Sequence, residues 1–199
     1  MNIPQLGPDT PQFTNKIFKL FGRLILRISG WRFAGEVPNL SQFVMIGAPH
    51  TSNWDAYYGG AALMAMGIKI KWMGKHTLFA KPFSGLLTAI GGIPINRTAN
   101  YGVVEQITSA FSKQKKMILL VTPEGTRKRV EKWKTGFYHI AETAKVPILL
   151  GFVDYARKTL GFGPLIEPSG DIEADLEKIQ IFYKDKAGKN PDLFNPKIK

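Results

Sequence analysis

Short apolar runs recur along this chain, and segments with helical periodicity separate them. Runs of this length, rich in β-branched residues, are typical of buried strands. Strands that alternate with helices predict a single-domain α/β fold with a mostly parallel, mixed central sheet flanked by helices. The predicted strands are 43-FVMIG-47, 68-IKIKWMGK-75, 93-IPINR-97, 117-MILLVTPEG-125 and 146-VPILLGFVDY-155.

Other segments extend this fold without adding a repeat or an interdomain linker. A chain of 199 residues is long enough for one domain with a sizeable core. Pro94 places its strand at a sheet edge or a strand start, and residues 157–170 predict a hairpin or an edge strand. We divide the chain into an N-terminal arm with a basic amphipathic helix, residues 1–29, and the α/β domain, residues 30–199. Helices are predicted over 15–29, 56–68, 83–92, 100–116, 135–145 and 171–183, and a strand over 31–38.

The N-terminal segment carries a helix with an uneven distribution of charge. Residues 1–12 contain three prolines and predict a disordered or loosely packed arm, and Thr14 can cap the helix that follows. Basic residues fall on one narrow stripe, while apolar residues cover most of the remaining circumference. Such a helix suits an anionic membrane surface, and it equally suits packing on its own domain. The stripe is Lys16, Lys19, Arg23 and Arg27; the apolar residues are Phe13, Ile17, Leu20, Phe21, Leu24, Ile25 and Ile28, with Leu26 alone beyond the stripe.

The chain is strongly basic. Twenty-seven Lys and Arg against fifteen Asp and Glu give a net charge of +12, so we expect a phosphate-bearing partner. Without cysteine there is no disulfide framework, Cys nucleophile or thiolate metal site, and the three histidines lack the spacing of a metal site. No uninterrupted run of about 18 apolar residues and no signal-peptide pattern occur, so a cytoplasmic location is the default expectation.

The stretch 50-HTSNWD-55 places a histidine and an aspartate five positions apart. On a helix this offset separates the two side chains by about 140°, and on a strand it puts them on opposite faces. His50 and Asp55 therefore meet only if the backbone changes character between them. The sequence allows this change, because a predicted strand precedes His50 and three N-cap candidates, residues 51–53, precede an apolar helix.

Polar residues also follow two other predicted strands: Asn96 and Arg97 follow one, and 124-EGTR-127 follows another. In an open α/β sheet, ligands bind outside the carboxyl ends of the strands, so all three clusters are site candidates. Each also has an ordinary structural explanation. Asp55 can complete a capping box with the serine three positions before it, Arg97 can be a surface arginine, and the glutamate and arginine of the third cluster can form a local ion pair.

In their order along the chain, these clusters resemble the motifs of the glycerolipid acyltransferases, the group that contains the lysophosphatidic acid acyltransferases. The four motifs are 50-HTSNWD-55, 92-GIPINR-97, 122-TPEGTR-127 and 146-VPIL-149, within about residues 30–155. The resemblance implies a glycerol-3-phosphate acyltransferase-like fold, with residues 30–199 as the acyltransferase domain. It also implies transfer of a fatty acyl group from a thioester to the hydroxyl of a phosphorylated glycerolipid such as lysophosphatidic acid.

The resemblance assigns the chemistry to His50 and Asp55. An alcohol that attacks a thioester needs a base within hydrogen-bond reach, and a neutral imidazole is suited to this near pH 7. Asp55 would fix the tautomer of His50 and stabilise the imidazolium, as in hydrolytic triads, but without a serine nucleophile or an acyl-enzyme. Backbone N–H groups around Gly125 are candidates for stabilising the oxyanion.

The same resemblance assigns the substrate-binding residues. Arg97 and Arg127 would bind the phosphate of the acceptor through their guanidinium groups, with Lys75 as an additional positive charge. Glu124, which shares its motif with Gly125 and Thr126, would position the hydroxyls of the acceptor or an arginine.

The expected partners follow from this assignment. The acyl donor is an acyl-CoA or an acyl carrier protein thioester, and the protein would lie peripherally on the cytoplasmic face of an anionic membrane. The strand that begins at Val146 would line the acyl site or be plain core. No metal, bound cofactor or nucleic acid is expected.

The chain departs from the usual motif residues at four positions where the acceptor would lie. Thr122 and Lys128 stand where the family usually has Phe and Ser. Pro94 and Asn96 replace a bulkier apolar residue and an acid. The identity of the acceptor therefore stays open.

Three alternatives remain. A thioesterase or esterase could use water as the acceptor, with Ser52 beside His50, although no Gly-x-Ser-x-Gly elbow is present. A nucleic-acid-binding module would explain the charge and the basic stretch 127-RKRVEKWK-134, which lacks a recognisable nucleic-acid-binding motif. A relative that only binds lipid would have no need of both His50 and Asp55.

Overall fold

The computed structural model describes residues 1–96 and 102–198 of the chain. Within these residues, seven strands form one central sheet. They are β1 (Arg32–Ala34), β2 (Gln42–Ala48), β3 (Lys71–Lys75), β4 (Gly92–Ile95), β5 (Met117–Val121), β6 (Ile148–Asp154) and β7 (Thr159–Ile166). Their order in the sheet is β1-β7-β6-β2-β5-β3-β4, and all neighbours are parallel except β6 and β7. The predicted α/β class with a mostly parallel, mixed sheet is confirmed.

Helices cover both faces of this sheet. They are α1 (Lys16–Ile28), α2 (Asn53–Met66), α3 (Ser84–Ala89), α4 (Val103–Lys113), α5 (Gly136–Ala144) and α6 (Ile172–Tyr183). Helices α1 and α2 pack on one face, and α4, α5 and α6 pack on the other. The short α3 follows a 3-10 turn at His76–Phe79 and precedes β4.

Side chains that alternate along β2 separate the two cores. Phe43 and Met45 pack with α1 and α2, whereas Val44 and Ile46 pack with α4, α5 and α6. Successive side chains of a strand point to opposite faces, so a strand covered on both sides is apolar throughout. Each such side chain contributes about 1.5–3 kcal/mol by its burial. The run at 43–47 is therefore continuously apolar because a layer of helices covers each face of β2.

The segment 157–170 forms the second strand of a hairpin rather than an edge. β7 pairs with β6 in antiparallel fashion, and its other side pairs with β1 in parallel. The two edges of the described sheet are β1 and β4, and β4, which pairs with β3, contains Pro94. A proline without an N–H group is tolerated at such a position, as the sequence predicted.

The end of the N-terminal arm is held more firmly than its prolines predict. Thr10 is fully buried, and its hydroxyl donates to the carbonyl oxygen of Pro38 at 3.0 Å. The carbonyl oxygen of Pro11 accepts the N–H of Lys69. The prediction of a disordered or loosely packed arm was wrong for these residues, because prolines keep their carbonyl acceptors although they lack a donor.

The cap of α1 lies one residue beyond the predicted one. The side chain of Asn15 accepts the backbone N–H groups of Ile17 and Phe18 at 3.0 and 3.1 Å. Thr14 was the predicted cap, and this prediction was wrong. One asparagine oxygen satisfies two of the N–H groups that the first turn of any helix leaves free.

α1 packs on α2 through the side opposite its apolar face. Gly22 and Leu26 are buried there, and a Cβ at Gly22 would lie 2.5 Å from the carbonyl oxygen of Ala61. An ordinary surface helix buries its apolar face, whereas this helix directs that face outward. The outward side chains, each more than half exposed, are Ile17, Phe18, Leu20, Phe21, Leu24 and Ile28. Across residues 1–96 and 102–198, no helix has the length and apolarity needed to cross a membrane.

Candidate active site

The turn after β2 brings His50 and Asp55 together. Ser52 is extended and caps α2, and it forms a capping box with Asp55. This box folds the first turn of α2 back over the preceding loop. As a result, Nδ1 of His50 lies 3.4 Å from Oδ2 of Asp55. The change from turn to helix that the spacing required is thus supplied by the cap.

Asp55 is buried and its charge is well supported. Its Oδ2 accepts the backbone N–H groups of Thr51 and Ser52 at 2.6 and 2.7 Å. Burial pushes the pKa of Asp55 upward, but the interactions with His50 and with these N–H groups outweigh burial and leave the pKa below its usual 3.8. The carboxylate is therefore ionised at neutral pH.

Tyr155 adds a buried hydroxyl near this carboxylate. Burial and the negative charge of Asp55 raise the pKa of Tyr155, so the phenol stays protonated. Neither this hydroxyl nor Oδ1 of Asp55 has a hydrogen-bond partner of good geometry in the part of the chain that the structure describes. The hydroxyl of Tyr155 also helps to lower the pKa of Asp55.

This arrangement favours one tautomer of the neutral imidazole. With Nδ1–H directed to an ionised carboxylate, Nε2 is the nitrogen without a proton. The side chain of His50 is 22% exposed, so a substrate can reach it. The pair can accept a proton from a hydroxyl and stabilise the imidazolium that results.

Glu124 reaches the same histidine through the backbone. Its Oε1 accepts the backbone N–H of His50 at 2.8 Å, and its Oε2 is buried without a partner among the described residues. Burial raises the pKa of Glu124 from 4.5 to about 7, more than the hydrogen bond from His50 lowers it. The loop after β5 is thereby joined to the loop after β2.

The sequence allowed an ion pair between Glu124 and Arg127, but in the structure the two side chains have different partners. The guanidinium of Arg127 donates to the side-chain oxygen of Asn53, the first residue of α2. No ion pair joins Glu124 and Arg127 in the described structure. The two residues of this motif therefore hold different parts of the loop 50-HTSNWD-55.

Gly125 forms the turn after β5. Its φ of +65° lies in the left-handed region that favours glycine. Its N–H donates to the carbonyl oxygen of Thr122 at 3.0 Å, so this amide is already used by the turn. That backbone N–H groups around Gly125 stabilise the oxyanion stays a prediction, and it would use amides of this turn other than that of Gly125.

Two further predicted binding residues, Lys75 and Thr126, lie at or after the carboxyl ends of β3 and β5. Lys75 ends β3 and is exposed, and Thr126 is exposed with its hydroxyl accepting the N–H of Lys128. Neither contacts His50 or Asp55 in the described structure. Arg97 lies outside the described residues, immediately after Asn96, which follows β4. No group of three or more acidic or histidine side chains that could hold a metal ion occurs within residues 1–96 and 102–198.

An apolar cavity of about 540 Å³, the first cavity, reaches His50 and Asp55 from the α2 side of the sheet. Its other walls include Gly60 and Leu63 of α2 and Leu120 of β5. The strand predicted to begin at Val146 lines this cavity only at its far end, through Gly151 and Phe152. Val146 itself is buried in the core on the other face of the sheet, with α4, α5 and α6.

Sequence reasoning missed the residues that hold this site from the C-terminal segment. Asn190 donates to Thr51 twice, from its backbone N–H to the hydroxyl at 3.2 Å and from its side-chain amide to the carbonyl oxygen at 2.9 Å. The ammonium of Lys189 lies 4.8 Å from the ring centroid of Trp54. No local pattern predicts these contacts, since Thr51 and Asn190 are 139 positions apart in the sequence.

The site therefore combines three features: a mostly parallel α/β sheet, a His–Asp pair and an apolar cavity beside that pair. The family model described as Acyltransferase matches residues 33–149, which is more than half of the chain, and the chain belongs to the acyltransferase family. Among solved structures it is similar to the 1-acyl-sn-glycerophosphate (LPA) acyltransferase PlsC from Thermotoga maritima, with 18% identity and a TM-score of 0.55 over 82% of this chain and 73% of that chain. At this identity the likeness shows the fold. A search of curated protein sequences found no match.

Proposed function

We propose that this protein transfers a fatty acyl group from a thioester donor to the hydroxyl of a phosphorylated glycerolipid. The observation that carries the proposal is the His50–Asp55 contact of 3.4 Å at the wall of an apolar cavity. A base that activates an alcohol and a site that accepts an acyl chain are the two requirements of this reaction. The likeness to a structure titled as an LPA acyltransferase supports the choice of a lysophosphatidic acid type of acceptor.

The reaction proceeds by direct attack. Nε2 of His50 takes the proton of the acceptor hydroxyl while its oxygen bonds to the thioester carbonyl carbon. Asp55 holds the imidazolium through Nδ1. The C–S bond then breaks, and the thiolate leaves and takes the proton from Nε2. Direct attack needs no serine nucleophile, and the hydroxyl of Ser52 accepts the N–H of Trp54 in the helix cap.

The substrates divide along the edge of the sheet. The acyl chain of the donor, an acyl-CoA or an acyl carrier protein thioester, occupies the first cavity. Arg127, with Arg97 and Lys75, binds the phosphate of the acceptor. The net charge of +12 supports an anionic acceptor.

The protein acts peripherally on the cytoplasmic face of an anionic membrane. The outward apolar face of α1 and the basic residues beside it support this location, because apolar side chains enter the interface while cations meet phosphates. Sedimentation with anionic vesicles tests it: Phe21→Ser should reduce the bound fraction, and Leu165→Ser, on β7, should not. Equal binding of both variants would contradict a role for α1.

Thiol release tests the reaction itself. Palmitoyl-CoA and palmitoyl acyl carrier protein are each supplied with and without lysophosphatidic acid. We expect release that depends on the acceptor, and a loss of about a hundredfold to ten-thousandfold in His50→Ala. His139→Ala is the matched control, because His139 lies on α5 and is half exposed.

The outcomes separate the alternatives. Release that ignores the acceptor would identify a thioesterase. No release from either donor, with vesicle or DNA binding retained, would identify a binding protein. Both results would contradict acyl transfer to a glycerolipid.

A further inference from the structure

A second cavity, of about 590 Å³, lies on the face of the sheet that α4 and α5 cover. Its walls are mainly apolar. They include Met73 of β3, Ile95 of β4, Val103 and Val104 of α4, and Phe137 and Ile140 of α5. This cavity is distinct from the first, which lies on the α2 side.

The two cavities meet beside the candidate catalytic loop. In the described strands, β3 pairs with β5 through Lys71 and Trp72 alone, so the strands are unpaired beyond that point. Trp72, Leu120 and Thr122 line both cavities. Thr122 lies two residues before Glu124, whose carboxylate holds the backbone of His50. The end of the second cavity at Thr122 therefore borders the first cavity, whose walls include His50.

The second cavity has one charged end. Gly125 and Lys134 line it, and Nζ of Lys134 lies 3.4 Å from the position that a Cβ at Gly125 would occupy. The backbone N–H of Lys134 donates to the carbonyl oxygen of Pro123, which fixes this lysine beside the turn after β5. An apolar chamber with a cation at its mouth fits an amphiphile with one chain and an anionic head.

We propose that the second cavity binds the acyl chain of the acceptor, so that the acceptor is a single-chain phospholipid and not a chainless glycerol phosphate. This inference rests on the proposed function. The transfer must bring two chains to one histidine at once, and two apolar cavities of similar size border each other at Trp72, Leu120 and Thr122, with His50 in the wall of the first. The donor chain occupies the first cavity, and Lys134 joins Arg127 in binding the acceptor phosphate.

Two glycines allow a matched test. Gly136 lines the second cavity and Gly60 lines the first, and a Cβ at either would meet nothing within 4 Å. The first carbon of a leucine side chain therefore has space at each position, and leucine favours the helix more than glycine does. Gly136→Leu should fill the second cavity, and Gly60→Leu should fill the first. Val104→Phe, on the α4 wall, is a second way to fill the second cavity.

Calorimetric titration with oleoyl lysophosphatidic acid below its micellar concentration, without donor, measures acceptor binding apart from catalysis. We expect Gly136→Leu and Val104→Phe to weaken this binding about tenfold, Gly60→Leu to leave it unchanged, and glycerol 3-phosphate to bind the wild type far more weakly. In turnover, Gly136→Leu should raise the KM of long-chain acceptors, and Gly60→Leu the KM of long-chain donors.

Several results would overturn the proposal. In the first, only Gly60→Leu lowers the affinity for lysophosphatidic acid. In the second, the wild type binds glycerol 3-phosphate as tightly as lysophosphatidic acid. In the third, the wild type does not bind lysophosphatidic acid. Binding is measured without a thioester, so it is independent of catalysis. A protein that binds the lipid in the second cavity but transfers no acyl group would refute the proposed function and would leave this assignment intact.

Discussion

Two loops of this molecule each bury a carboxyl group beside the same histidine, and they do so in opposite ways. The loop after β2 leads into the first turn of α2, which supplies Asp55; this residue contacts the side chain of His50 and accepts two backbone N–H groups. The loop after β5 supplies Glu124, which accepts the backbone N–H of His50 and leaves one buried oxygen without a partner among the described residues.

The difference in hydrogen bonding determines the charge of each acid. Burial acts on both groups, yet the donors around Asp55 overcome it and lower its pKa, while Glu124 has too few donors and its pKa rises to about 7. Two acids of similar intrinsic strength are thus separated by their surroundings. We infer that Asp55 acts on the reacting side chain and that Glu124 positions the backbone that carries it.

The largest effect should come from Asp55→Asn. The amide cannot stabilise the imidazolium and disturbs the tautomer of His50, so we expect kcat to fall about a thousandfold or more while the KM values change little. Steady-state thiol release measures this change. Thermal unfolding of the variant must show a folded protein, and a kcat within a few-fold of wild type would contradict the orienting role of Asp55.

The second effect concerns stability and its dependence on pH. An acid whose pKa is raised by folding destabilises the folded state as pH rises through the window from its unfolded value to its folded one, here from 4.5 to about 7. Glu124→Gln keeps an acceptor for the N–H of His50 and removes this titration. Between pH 5 and pH 8, we expect the free energy of unfolding of wild type to fall by about 3 kcal/mol relative to the variant.

Urea unfolding at several pH values measures that difference. Asp55 supplies the contrast, because its pKa is lowered: its contribution is present above 3.8 and is lost as pH falls below that value. Parallel pH profiles of wild type and Glu124→Gln would show that folding does not raise the pKa of Glu124, and the contrast between Glu124 and Asp55 would be refuted.

The smallest effect tests the contact between the two loops. The guanidinium of Arg127 donates to Asn53, and we propose that it also binds the acceptor phosphate. Arg127→Ala should raise the acceptor KM about tenfold with little change in kcat. Asn53→Ala is the control, since it removes the contact and keeps the guanidinium. Equal effects of the two substitutions would mean that Arg127 has only a structural role.

The sequence predicted the strands and most helices because the packing of a parallel sheet is expressed locally. The run 43-FVMIG-47 is apolar because helices cover both of its faces, and Pro94 lies at an edge because it lacks a donor. The meeting of His50 and Asp55 was also predictable, since the capping box at Ser52 is a local pattern.

Features that depend on tertiary packing were not predictable in the same way. Nothing around Gly22 indicates that α1 would bury its glycine side and expose its apolar one, since this depends on the close approach of α2. The sequence also does not indicate that the N–H of Gly125 donates to the carbonyl oxygen of Thr122 within the turn. The second cavity is lined by residues from β3, β4, α4 and α5, and no periodicity of the sequence indicates that these elements enclose a space.

The bond between Thr51 and Asn190 has a consequence for the order in which the chain acquires activity. It joins residues 139 positions apart, and contacts across such a loop form late, after the intervening chain has ordered. The backbone N–H of Thr51 also contacts Asp55, so the catalytic turn is completed only when nearly the whole domain has folded. A partly folded chain would carry all four motifs without a working base, and recovery of enzymatic turnover during refolding would report the final step of assembly.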